Sequence, residues 1–379
     1  MKIKILMSIA LIILLFAFAI IAAQNSIWYF GLTQVETIKI GIICAQTGPV
    51  SSTVAPSQEG IRMALEDWGS QNKKTKFKLI FEDTGGESKN AVTAFEKLNS
   101  IDNITAIITD ISSTTKTLVP LTQENKLPMI SYISTSSIAK EKGEYAFRTS
   151  PMNYKEMELI SKYLEIQKIK KVAIITELND YPVSMKTLFI KQFTASGGTI
   201  VAQEEVNSNS DYRTVLTKIN NSNPQAIIII PISTSVALNL LQTKKELNIN
   251  TPVYGSDIVG ALMVVNKGGL ELQKDVIFGS QVYDENKVKI LQERYINKIG
   301  NNNVMDWLYI ATSYDAAMLL FNAIEDEGTN NEKIKEHLKN TKYTGYSGEI
   351  EFDSFGDPKE AQFALFKYNS EKKRDLVYK

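Results

Sequence analysis

Apolar and polar positions along this chain repeat a unit: a short run of apolar residues, a turn, then a stretch with apolar residues three and four apart. In the first unit, Ile38-Lys-Ile-Gly-Ile-Ile-Cys44 is apolar on both faces apart from Lys39, as in a strand covered by helices on both sides of a parallel sheet. After the turn Gln46-Thr-Gly-Pro49, a segment beginning near Glu59 puts Ile61, Leu65 and Trp68 on one helical face, which can pack back on that sheet. The unit recurs as Lys76–Asp83 with a helix carrying Ala91, Phe95 and Leu98, as Ala106–Asp110 with a helix carrying Leu118 and Leu121, and as the strand Pro128–Ser131. Pro151 interrupts the series. A second series follows: helix 154 to 166, strand Lys171–Thr176, helix 183 to 196, strand Thr199–Glu204, helix 212 to 220, strand Ala226–Pro231, helix 235 to 247 and strand Pro252–Gly255. Helices near 285 to 299, 306 to 327 and 331 to 340 precede a last strand, Gln362–Lys367. Strands alternating with helices of this length predict an α/β chain of two doubly wound parallel-sheet lobes.

Length and charge narrow the function. At 379 residues and 44% hydrophobic the chain can fill two cores. Its 42 basic and 42 acidic residues balance, and no long basic run offers a surface for a nucleic-acid backbone. Lys2 and Lys4 precede an uncharged apolar run from Ile5 to Ala23, the layout of a secretory signal. That run approaches the roughly 20 residues that span a bilayer, and Trp28, Tyr29 and Phe30 follow it as interfacial aromatics do. Residues 1–30 are therefore read as a signal peptide, cut after Ala23, or as a membrane anchor. Either way the remainder works outside the cytoplasm.

Catalysis finds little support. The single histidine, His337, lies in the charged helix Glu332-Lys-Ile-Lys-Glu-His337 and reads as a solvated surface residue, so no histidine triad or multi-histidine metal site can be built. Cys44, the only cysteine, reads as a small core residue, and lying beyond the N-terminal segment it excludes both an intrachain disulfide and a lipid-modified cysteine at the end of a signal. No Gly-x-Gly-x-x-Gly or P-loop follows the first strand. The expectation is a non-enzymatic chain with no catalytic residue, no metal and no cofactor.

Hydroxyls gather where open α/β sheets place ligands, beyond the carboxyl ends of strands. Ser112, Ser113, Thr114 and Thr115 open the helix after Asp110, so hydroxyls and free N–H groups meet in a natural anion site. An ordinary helix cap would explain that cluster alone. A second cluster, Ser134-Thr-Ser-Ser137, sits at the same sheet edge and moves the balance toward a site.

The motifs Thr47-Gly-Pro49, Phe147-Arg-Thr149 and Gly348-Glu-Ile-Glu-Phe-Asp353, in this order and spacing, resemble the extracytoplasmic binding proteins for branched-chain amino acids, the leucine/isoleucine/valine-binding family with the type I periplasmic-binding-protein fold. The resemblance spans about residues 38 to 379. It implies a three-crossing hinge, with crossings near 148 to 152, 278 to 284 and 345 to 350. The first lobe would comprise 38–150 plus 282–345, and the second 151–281 plus 346–379. It also implies roles: Ser112, Ser134 and Thr135, with the backbone at Ile133, would hold a ligand carboxylate, Tyr181 would cover the ligand, and Asp257 would pair with its ammonium. A helix cap is the plainer explanation for Asp257. Two departures stand out. Ser233 occupies a place where branched-chain binders often carry a second tyrosine, and Thr53 one where an aromatic is often seen, so a more polar or larger ligand could enter. The implied function is the substrate-binding component of an ABC importer, a monomer that closes on an amino-acid-like ligand and hands it to a membrane permease. The alternative is a receptor domain of the same fold that reports its ligand to a membrane signalling partner.

Overall fold

The computed structural model describes residues 37–135, 143–151, 154–359 and 361–379; the apolar run from Ile5 to Ala23, Trp28 to Phe30, and Ser136 with Ser137 lie outside them. β1 (Thr37–Cys44), β2 (Lys76–Asp83), β3 (Ala106–Thr109), β4 (Met129–Ser131) and β5 (Ala146–Arg148) form a parallel sheet in the order β2-β1-β3-β4-β5. The strand alternation decides which helix covers which face. Ile40, Ile42, Ile108 and Ile130 pack with Ile61 and Trp68 of helix Gln58–Ser70 and with Ile310 and Phe321 of helix Trp307–Glu327. Ile43, Ile107 and Met129 face Ala91 and Phe95 of helix Ser88–Lys97 and Leu118 of helix Ser112–Glu124. Lys39, the polar exception in β1, donates its ammonium to the Asp102 carbonyl at 2.7 Å.

Helices 58–70 and 307–327 come together at Gly60, where a Cβ would lie 2.2 Å from the Ile310 carbonyl oxygen. Any larger residue there would force the two helices apart. The aromatic trio Trp68, Phe77 and Phe321 seals the far end of the same core, with the Phe77 and Phe321 rings stacked at 4.3 Å.

The second sheet starts with β6 (Lys171–Glu177), β7 (Thr199–Val206), β8 (Ala226–Ile230), β9 (Val253–Gly255) and β10 (Val276–Gln281). All five residues of β8 are fully buried. At roughly 1.5 to 3 kcal/mol for each buried isoleucine side chain, this strand anchors the second core. Helices Tyr154–Ile166, Asp180–Ala195, Tyr212–Asn221 and Thr234–Glu246 cover the sheet. Helix 180–195 begins earlier than its apolar pattern predicts, because Asn179 caps it and Pro182 fits in its first turn. That start places Tyr181 at a helix N-terminus.

The tail first returns to the first sheet. β11 (Lys342–Thr344) and β12 (Glu349–Glu351) form a small antiparallel hairpin, and Ile350 and Phe352 lie in the first core. The turn between them is tied to helix 307–327 by the buried Asp315, whose carboxylate accepts from the N–H groups of Tyr346 at 3.1 Å and Ser347 at 2.7 Å. Asp357 pairs with Arg148 at the end of β5, and the Arg148 N–H donates to the Gly356 carbonyl at 3.0 Å. The stretch from Tyr346 to Asp357 is thus tied to the first sheet and its core. β13 (Phe363–Tyr368) and β14 (Arg374–Tyr378) then join β10 antiparallel, giving the order β14-β13-β10-β9-β8-β6-β7. Residues 282–284 join β10 to helix Glu285–Ile299.

Candidate ligand-binding site

The carboxyl ends of both sheets face one cleft. From the first sheet and its helices come Thr53, Val54, Ile111, Ser112, Ile133 and Thr135, and from the second sheet's side Tyr181, Ile232, Asp257 and Ile258; Met305 and Tyr309 complete the wall. The space between them is about 30 Å³, where roughly 10 to 15 Å³ holds one water.

On the first side a hydroxyl network sets the geometry. Ser131, at the end of β4, donates to the Asp110 carbonyl at 2.8 Å and accepts from the Ser134 N–H at 3.2 Å. The Ser134 hydroxyl lies 3.3 Å from that of Ser112, which also accepts from the Thr135 N–H at 3.3 Å. Behind them the Arg148 guanidinium donates to the Ser134 carbonyl at 3.3 Å. Ser112 is the first residue of its helix, so its hydroxyl sits where the helix dipole favours an anion. Asp110 fastens the end of β1 beside it by accepting from the Ala45 N–H at 2.7 Å, and burial pushes its carboxyl up to about 6.

On the other side stands Asp257, in the loop after β9. Tyr181 donates to one carboxylate oxygen at 3.3 Å and Tyr309 to the other at 2.5 Å, while the Asp257 N–H donates to buried Glu156 at 2.7 Å. Burial raises the Asp257 carboxyl to about 6; the Tyr309 hydrogen bond opposes that shift and the nearby Asp306 charge adds to it. Asp257 starts no helix, for the next one begins at Leu262, so the capping explanation does not apply.

Of the eight residues singled out in the sequence, six line the cavity: Thr53, Ser112, Ile133, Thr135, Tyr181 and Asp257. Ser134 lies behind Ser112, linked to it as described. Ser233 turns away: its hydroxyl donates to Glu177 at 2.5 Å, its N–H to the same carboxylate at 2.8 Å, and its neighbour Ile232 fills the wall instead. Tyr309 carries no signal in the sequence, being one apolar position among many in a long helix; only folding brings it to Asp257. His337 lies at the surface, its ring 3.7 Å from Glu327 and 3.9 Å from Asp326.

Known proteins resemble this chain in sequence and fold. The leucine-, isoleucine-, valine-, threonine- and alanine-binding protein of Pseudomonas aeruginosa is 22% identical over 351 residues, covering 90% of this chain and 92% of that protein. The branched-chain amino acid transporter substrate-binding protein of Streptococcus pneumoniae, solved in complex with isoleucine, superposes with a TM-score of 0.79 at 21% identity, covering 91% of this chain and all of that one. A solute-binding protein of an ABC transporter from Rhodopseudomonas palustris, solved with 3,4-dihydroxybenzoic acid, reaches 0.79 at 21% identity, covering 90% and 96% of the two chains. The periplasmic binding protein family matches residues 37–373. With two sheets, parallel except for β13 and β14, facing one cleft and a family match across nearly all of the described fold, this chain belongs to the periplasmic binding proteins.

Proposed function

We propose that this protein is the substrate-binding component of an ABC importer, that its ligand is an α-amino acid with an aliphatic side chain, and that it delivers this ligand to a membrane permease. The observation that carries the reading is Asp257, a carboxylate facing the same cavity as the Ser112 and Thr135 hydroxyls. An α-amino acid bears a carboxylate and an ammonium on one carbon, so it needs donors at one end and an acceptor charge at the other. The hydroxyls and the N-terminus of helix 112–124 supply the donors. Asp257, oriented by Tyr181 and Tyr309, supplies the charge. Val54, Ile111, Ile133, Ile232, Ile258 and Met305 make the rest of the wall aliphatic, which suits an aliphatic side chain better than an aromatic acid.

The lobes on this reading are 38–150 with 282–359, and 151–281 with 361–379. They move about the three crossings as rigid bodies, closing to bury the ligand's charges. The site lies outside the cytoplasm, with residues 1–30 serving as signal or anchor. Mass spectrometry of small molecules released from the purified protein tests the ligand class. An α-amino acid at near-stoichiometric amount is the expected result; a benzoate-type acid in its place would reject it.

A further inference from the structure

Helix 234–246 lacks a cap of its own. Its N-cap residue, Ser233, makes no capping bond because its hydroxyl is held by Glu177. The N–H of Thr234, the first helical residue, donates instead to the hydroxyl of Thr53, at 3.0 Å, across the cleft from the first lobe's helical turn Ser51–Val54. The two threonine hydroxyls lie 3.4 Å apart, and both residues are buried. One lobe thus caps a helix of the other, and the cap exists only while the lobes are together.

The position of this contact matters as much as its energy. Thr53 lines the ligand cavity beside Val54, and Ile232 stands two residues before Thr234. An α-amino acid held at Ser112 and Asp257 turns its side chain toward this aliphatic wall, whose boundary includes Thr53, the partner of Thr234. Each added methylene presses on that boundary, and parting the two threonines uncovers a helix N–H. Hydrophobic pockets distinguish one methylene by about 10- to 200-fold.

We propose that the Thr53–Thr234 contact is a closing latch that makes Thr53 a specificity-determining residue, selecting side chains no larger than that of valine. The inference rests on the amino-acid reading of the site and names its ligands more narrowly.

The test is calorimetry of alanine, valine and leucine against the wild-type protein and two variants. Wild type should bind valine or alanine at least about tenfold more tightly than leucine. Thr53→Val keeps the bulk and removes the acceptor, so the preference should persist while every affinity falls about five- to tenfold. Thr53→Ala removes both, so leucine should come within about threefold of valine. The latch also has a readout that needs no ligand: the distance between fluorophores on the two lobes should lengthen in free Thr53→Val relative to free wild type. Wild type preferring leucine, a preference unmoved by Thr53→Ala, or Thr53→Val matching wild type in both affinity and lobe distance would each overturn the inference. Failure of wild type to bind any amino acid would mark a different error, in the ligand class itself, and would remove the size selection with it.

Discussion

Replacing Asp257 by asparagine removes the charge while keeping the outline of the side chain, and the consequence can be worked out from its surroundings. Burial lifts the carboxyl to about 6, so by simple titration roughly nine-tenths of the groups are ionised at pH 7 and one-tenth at pH 5. Only the ionised form pairs with an ammonium. Wild-type affinity for an α-amino acid should therefore fall about tenfold between pH 7 and pH 5, or about 1.4 kcal/mol, and binding near pH 5 should release protons to the buffer. Removing one partner of a buried charge pair costs roughly 3 to 5 kcal/mol. Asp257→Asn should thus bind about a hundredfold or more weakly at pH 7, with no pH dependence from this group. Titration calorimetry from pH 5 to pH 8, in buffers of different ionisation enthalpy, reads both quantities. A ligand with a carboxylate and no ammonium gives the opposite slope, since a closed cleft then favours the protonated form of Asp257. If the variant binds as tightly as wild type, or wild-type affinity rises toward pH 5, Asp257 does not hold an ammonium.

The fold makes predictions of its own. Arg148→Ala strands the buried Asp357 and should cost roughly 3 to 5 kcal/mol in denaturant unfolding; a loss under about 1 kcal/mol would show that the pair does not anchor the turn at 353 to 357. Asp110 titrates near 6 when folded against about 3.9 unfolded; the proton is bound more tightly by the folded state, so the stability this group contributes is present below about pH 4 and lost as pH rises through 6. Asp110→Asn stays neutral and can still accept from Ala45, so its stability relative to wild type should improve by up to about 3 kcal/mol between pH 4 and pH 7; a constant difference would refute this. If residues 1–30 form an anchor, protein from native membranes should begin at Met1 and need detergent for release, whereas a soluble chain beginning near Gln24 would show a cleaved signal.

Local pattern carried far in this chain wherever burial is the deciding force. The both-faced apolar run of β1, helix 154–166 and the fully buried β8 follow directly from runs and spacings. The hydroxyls at Ser112 and Thr135 were legible for the same reason, since strand ends and helix starts fix where such groups point. What stayed hidden depends on contacts between distant residues. Asp315 holds the turn at Tyr346 and Ser347, and this ties the start of the tail to helix 307–327 and the first core. Glu177 captures the Ser233 hydroxyl, which diverts a residue that by position belonged to the pocket. Tyr309 reaches Asp257 only because helix 307–327 packs against Gly60 and returns its N-terminus to the cleft.

The central claim, one α-amino acid held by hydroxyls at one end and by Asp257 at the other, is tested most directly by a matched pair of ligands. The protein is freed of bound small molecules by unfolding and refolding, then titrated by calorimetry with valine and with 3-methylbutanoic acid, which differs only in lacking the amino group. Valine is predicted to bind and the acid to bind at least about a hundredfold more weakly, because Asp257 would be buried without its partner. Equal affinity for the two, or binding of the acid alone, would contradict the account.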